Sequence, residues 1–415
     1  MKSFVENVNF FAGNSPEDIA REYGTPLYVY NEEILRKSFR TVAGIIKKYP
    51  YRANYSIKAN SNLTVLKIAH EEGVYCDAMS KGEIDILLRA GFEKNEIFYV
   101  PNNIDADEMK YAVELGIMTS LDSVDQLRLF GEINRGGKCA IRINPGVGAG
   151  HHEKVVTAGK NTKFGIAEAD IDDALDVALK YDLHIVGINQ HVGSLYMTPQ
   201  PFLDAIDNFL RIAKKFSNLE FIDFGGGFGI PYHKLGDEAS FDMELLSDEW
   251  TKKLDVFVEE YGYAPLFKSE PGRYCVAESA VILGRVNAVK FNGEHKYAGT
   301  DVGMNVLARP VLYDSWHDIE ICRNGEIVTD NPEKITVTGN ICESGDCLCK
   351  DRILPEIKDN DLIIILDAGA YGYSMSYPYN LRMRPAEVMV MKDGNVRLIR
   401  RRETFDDIMK MFPQQ

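Results

Sequence analysis

From about residue 50 onward, short apolar runs alternate with longer stretches in which apolar positions recur every three or four residues. A brief apolar or alternating run reads as a strand, and the longer period reads as a helix with one buried face. On that reading strands are expected at Ala53–Lys58, Val74–Met79, Ile97–Pro101, Met118–Leu121, Cys139–Asn144, His184–His191, Leu219–Phe224 and Leu266–Glu270. Helices are expected between them, as at Leu63–Glu72, Lys81–Ala90 and Pro201–Lys215. Eight units at this beat predict an α/β fold, a closed (β/α)8 TIM barrel.

After Tyr274 the rhythm changes. Ala277–Lys290, Ile335–Gly339, Leu362–Leu366, Glu387–Met391 and Val396–Arg400 read as strands, punctuated by the turn signals Asn292-Gly293, Asn324-Gly325 and Asp393-Gly394. A short helix is expected at Thr404–Met411. The expected organisation is a barrel over residues 31–275 and a mostly β C-terminal domain over 276–415. Residues 1–30, with a strand-like Pro26–Tyr30, are expected to pack with the second domain. The long glycine-bearing segment Pro145–Lys163 follows the fifth barrel strand, and a loop of that length in a compact domain is usually functional.

A chain of 415 residues can bury a large core, and its composition is that of a soluble enzyme. The net charge of −15 argues against a nucleic-acid partner, which would call for clustered Lys and Arg. No apolar run is long enough to span a bilayer, so no membrane association is expected. The residues from Met1 to Asn7 lack a signal-peptide core, and the seven cysteines do not form a secreted framework. A cytoplasmic location is therefore expected.

Chemistry gathers at the ends of the expected strands, where a barrel carries its active site. Lys58 ends the first, Arg142 lies on the fifth, His191 ends the sixth, Gly225-Gly226-Gly227 follows the seventh, and Glu270 ends the eighth. Taken singly, each has an ordinary reading. A strand-end lysine packs its stem on apolar surface, a glycine run makes a tight turn, a histidine sits satisfied in a core, and a glutamate faces solvent. Together they supply a Schiff-base amine lowered in pKa by partial burial, a flat ring, main-chain N–H groups for a phosphate, and a carboxylate for a pyridine nitrogen. That set predicts a pyridoxal-phosphate site. No metal site is expected: His151 and His152 are adjacent and diverge, and Cys342, Cys347 and Cys349 lack a paired spacing and a fourth ligand.

The motifs Tyr55–Asn60, Asn161–Gly165, His191–Ser194, Gly225–Gly229, Glu270–Arg273, Cys342–Asp346 and Asp367–Met375 occur in the order of a known family. The chain resembles the fold-type III pyridoxal-phosphate-dependent decarboxylases, whose alanine-racemase-like fold joins a barrel to a β domain in a homodimer with shared active sites. The resemblance implies that Lys58 is the Schiff-base lysine and that His191 stacks on the cofactor. It makes Glu270 the partner of the pyridine nitrogen. Ser194, Gly225, Gly226, Gly227, Gly272 and Arg273 would hold the cofactor, with Tyr371 reaching it from the second subunit, and Cys342 is implied as the proton donor across the interface. Arg273, Arg309, Tyr313, Glu343 and Tyr371 match substrate-binding positions of those members that convert meso-2,6-diaminopimelate to L-lysine and CO2. An arginine clamp suits a substrate whose far end carries a carboxylate, which ornithine-type relatives do not need. Leu381 and Met383 depart from the family's small residue and proline. Three other readings share the fold: a decarboxylase of another amino acid or polyamine precursor, a racemase-like enzyme, and a non-catalytic binding protein.

Overall fold

The computed structural model describes residues 3–146 and 163–413, so most of the Pro145–Lys163 loop, with His151 and His152, lies outside the described residues. The chain divides into two compact units. One comprises Arg36–Ile230 and Ser240–Cys275, the other Met1–Leu35, Pro231–Ala239 and Val276–Gln415.

The first unit is a closed barrel of eight parallel strands: Tyr51–Ser56, Tyr75–Ala78, Ile97–Tyr99, Met118–Leu121, Lys138–Asn144, His184–Asn189, Phe221–Asp223 and Leu266–Ser269. Each pairs with the next in sequence, and the eighth returns to the first through Phe267↔Tyr51 and Ser269↔Ala53. The strand-to-helix turns carry their own start signals. Asn62, Ser80, Asp105 and Ser123 each accept a main-chain N–H of the helix that follows, satisfying a donor that the helix leaves open. Phe98, Val100, Ala140, Val186 and Phe221 form an apolar layer within the barrel. The Phe98 and Phe221 rings meet at 5.3 Å although their strands are not neighbours, so this contact crosses the barrel interior.

The second unit is built on a sheet ordered Glu326–Val328, Ile319–Arg323, Leu362–Ile365, Ala280–Asn292, Leu27–Asn31, Ala386–Val390 and Val396–Arg400. Leu27–Asn31 lies inside it, antiparallel to Ala280–Asn292 and parallel to Ala386–Val390. The long strand Ala280–Asn292 also pairs with His295–Thr300, which leads on to Glu333–Thr338 and Cys347–Leu354. Val5, Phe10, Phe11, Leu27, Val29, Leu283, Leu362, Ile364 and Val388 are among its buried core. Asn324 and Gly325 both adopt positive φ between paired Arg323 and Glu326, the geometry a two-residue hairpin needs.

The compact units differ from the expected boundary at two segments: residues 31–35 and Pro231–Ala239 group with the β unit. For the second segment the cause is electrostatic: the buried Lys234 Nζ lies 2.7 Å from Glu278 Oε1 and 2.8 Å from Asp367 Oδ1. The Leu235 N–H also donates to Asp318 Oδ2 at 2.8 Å. Among the described residues no helix is long and apolar enough to cross a membrane.

Candidate active site

Four consecutive ends of barrel strands are laced together by main-chain hydrogen bonds. Gln190 N–H donates to Asp223 O at 3.1 Å, Glu270 N–H to Gly225 O at 2.8 Å, and Ser56 N–H to Pro271 O at 3.1 Å. His191, the triple glycine, Glu270 and the turn bearing Lys58 therefore share one arc of the rim. Glycine is required there because the segments approach so closely. A Cβ on Gly226 would stand 2.1 Å from Glu270 O, and one on Gly225 would stand 2.3 Å from Gln190 O. Asp223 shapes the turn by accepting the Gly225 N–H at 2.9 Å on its Oδ1.

The Gly226 N–H donates to His191 Nδ1 at 3.3 Å, so that nitrogen presents its lone pair. Burial, reinforced by the charges of Lys58 and Arg142, holds the ring's pKa well below the usual histidine range. His191 is thus a neutral flat ring at the rim. Arg273, buried at the start of the short helix Arg273–Val276, donates to Ser194 Oγ at 2.9 Å. Gly272 packs against Ser56, with room for a Cβ only 3.1 Å from that residue's own.

Glu270 is 5% exposed, and its Oε1 has no hydrogen-bond partner. Burial pushes its pKa well above the ordinary value, Asp223 and Asp77 push further, and Arg142 and Lys58 oppose them. Asp77 accepts the Ser56 hydroxyl at 2.8 Å, and burial raises its pKa to about 8. Burial likewise carries Asp223 up to about 6. The guanidinium of Arg142 lies over the Phe164 ring at 4.5 Å and is pulled down by burial against the pull of Glu270, Asp122 and Asp77. The Lys268 ammonium sits 4.1 Å from the Phe221 ring centre and is also pulled down by burial. The mouth of the barrel is therefore a buried cluster of acids and bases near balance.

Lys58 departs from expectation in one respect. It lies on the single turn Ile57–Ala59, beyond the first strand, and is exposed in this chain rather than partly buried. The strand ends at Ser56, so the lysine is carried past the core to the open rim. Sequence reasoning gave no role to Asp77, Asp223 or Lys268. Their signal was an ionisable residue inside an otherwise apolar strand, as in Phe221-Ile222-Asp223-Phe224.

The remaining expected residues belong to the β unit. Arg309 and Tyr313 bound a short helix, Arg309 being 1% exposed and Tyr313 half-buried. Cys342 and Glu343 are exposed on a loop tied by Asp346, whose carboxylate accepts the N–H groups of Met304 and Ile341. Gly345 of that loop reaches Val311 of the short helix, with space for a Cβ 3.7 Å from Val311 Cγ1. Tyr371 holds a φ of 57°, strained for a non-glycine residue and of the sort that collects at functional sites. The departure at Leu381 lies beside this loop, where the Cys342 N–H donates to Asn380 Oδ1 at 2.8 Å. All seven cysteines are free, and the described residues contain no group of three or more His, Cys, Asp or Glu side chains able to hold a metal ion.

Residues 33–277 match the family described as "Pyridoxal-dependent decarboxylase, pyridoxal binding domain". The chain belongs to the pyridoxal-dependent decarboxylases. A diaminopimelate decarboxylase of Methanothermobacter thermautotrophicus is 41% identical over 410 residues, covering 96% of this chain and 94% of its own. A crystal structure of a diaminopimelate decarboxylase superposes with a TM-score of 0.89 at 32% identity, covering 97% of this chain and 98% of that one. Another, from Helicobacter pylori complexed with L-lysine, gives 0.87 at 30% identity, covering 95% and 98%. The family's cofactor fits the barrel site. A buried carboxyl oxygen without a donor accommodates a ring N–H, and the Ser194 hydroxyl held beside the Arg273 guanidinium suits a phosphate.

Proposed function

We propose that this chain converts meso-2,6-diaminopimelate to L-lysine and CO2, using pyridoxal phosphate held at the barrel rim. The carrying observation is Glu270, a buried acid with a partnerless oxygen on the arc it shares with the glycine turn. The relatives' names support the choice of substrate.

In this reading Lys58 supplies the amine that holds the cofactor. The neutral ring of His191 would stack against it. Ser194, Gly227 and Gly272 would hold its phosphate, on a turn shaped by Gly225 and Gly226, with Arg273 beside them. Glu270, whose pKa burial raises, would hold the proton that it shares with the ring nitrogen. When bound, the cofactor supplies an electron-poor ring that takes up the electron pair released as the carbon–carbonyl-carbon bond to CO2 breaks. Cys342 of a second copy then delivers the proton that replaces CO2, and Tyr371 of that copy completes the site. Arg273, Arg309 and Tyr313 grip the distal carboxylate and Glu343 its ammonium, so the far end fixes which of the two centres is presented for reaction. The working form is a cytoplasmic homodimer.

The test is to incubate the purified protein with pyridoxal phosphate and meso-diaminopimelate and to measure lysine. Lysine is expected from the unmodified protein and not from Lys58→Ala. An unmodified protein that binds the cofactor but forms no lysine would overturn the reading.

A further inference from the structure

We infer that His317 is a positioning residue that aims Arg309, and through it selects ligands bearing a distal carboxylate; this rests on the proposed role of Arg309. The imidazole is 2% exposed, with Nδ1 2.8 Å from Leu366 O and Nε2 2.7 Å from an Nη of Arg309. A carbonyl only accepts, so Nδ1 carries the proton and Nε2 presents a lone pair. A guanidinium only donates, so the contact at Nε2 is satisfied by this one tautomer and no other.

Two further contacts constrain Arg309, one from Tyr232 and one from Ser315 on the same loop as His317. The guanidinium lies 4.4 Å from the Tyr232 ring centre, and its second Nη donates to Ser315 Oγ at 3.3 Å. The Tyr232 ring also meets the His317 ring edge-on at 5.1 Å. An arginine has four rotatable side-chain bonds, and a flat, directional donor is useful only in one plane. A stacked face, a fixed acceptor and a hydroxyl fix that plane. His317 is the most constrained of the three, because Leu366 O locks its tautomer.

The test uses the cofactor-loaded protein and two ligands. L-Lysine keeps the distal carboxylate after decarboxylation, whereas cadaverine lacks it. His317→Phe keeps a ring against Tyr232 and removes the acceptor. Lysine affinity, measured by calorimetry, is expected to fall about tenfold to a hundredfold, the scale of one oriented charged hydrogen bond, while cadaverine stays within about twofold. KM for diaminopimelate should rise by more than kcat falls, and His317→Gln should recover part of the lysine affinity. If His317→Phe does not fold, His317→Asn serves in its place, since its short amide cannot span Leu366 O and Arg309 together. Equal losses for lysine and cadaverine, or no loss for lysine, overturn the inference. Arg309→Gln separates the two levels. If it too leaves lysine binding intact, the role given to Arg309 fails; if it weakens lysine binding while His317→Phe does not, only the inference fails.

Discussion

Glu270→Gln should move stability and function in opposite directions. The substitution keeps the shape of a side chain that is 5% exposed and removes an acid whose Oε1 has no partner. Burial, Asp223 and Asp77 all oppose ionisation of Glu270, and Gln removes that cost while keeping an equally partnerless oxygen. The cofactor-free variant should therefore melt higher, at about 1 °C per kcal/mol regained for a chain of this length. The loaded enzyme should lose a charge-assisted hydrogen bond of about 1.5–3 kcal/mol, or roughly tenfold to a hundredfold in cofactor affinity. Thermal melts with and without pyridoxal phosphate read both effects. The gap between loaded and unloaded melting points should shrink from both sides. A variant that melts lower without cofactor, and gains as much from it as the parent, would refute the assignment.

Gly226→Ala places a Cβ 2.1 Å from Glu270 O, so the turn must shift on the order of 1 Å, enough to cost about a hundredfold in cofactor affinity by absorbance titration. Gly82→Ala is the control: the atom nearest its new Cβ would be Ser80 Oγ at 3.9 Å, and affinity should not change. Lys234→Met should destabilise the protein by about 3–5 kcal/mol in urea melts, by stranding buried Asp367, and Lys234→Met with Asp367→Asn should recover most of it. Asp223 near 6 and Asp77 near 8 are raised above their unfolded values. Their contribution is therefore complete in acid and is lost as pH rises from about 4 to about 8, Asp223 alone accounting for roughly 3 kcal/mol. Melting points of cofactor-free protein should fall across that window, and less steeply in Asp77→Asn.

The barrel was legible because its strands are short apolar runs and its helices announce their own starts, as Ser80 does before Lys81–Ala90. Each residue named on the rim arc lies at or just past a strand end, where period and turn signals coincide. What the pattern could not show was company. Asp223 reads as a polar interruption in an apolar run until its carboxylate is seen capping the Gly225 turn. Pro231–Ala239 follows the seventh strand in sequence, yet Lys234 finds both acids more than 40 residues away. Such long-range pairing leaves no periodic trace. The exposure of Lys58 was missed for a simpler reason: a strand read by hydrophobicity alone was extended past Ser56 into the turn.

The strand Leu27–Asn31 has a consequence for how the protein is made. Its neighbours in the sheet, Ala280–Asn292 and Ala386–Val390, leave the ribosome long after it does. The barrel residues lie between them, so the barrel can close while the amino-terminal strand still has two bare edges. An unpaired apolar strand is a template for the wrong partner, and non-local pairing is slow. The last stretch of synthesis is thus the vulnerable one. A chain stopped before Ala280 would carry a finished barrel and a first strand bare on both edges, and should aggregate rather than remain a soluble half-enzyme.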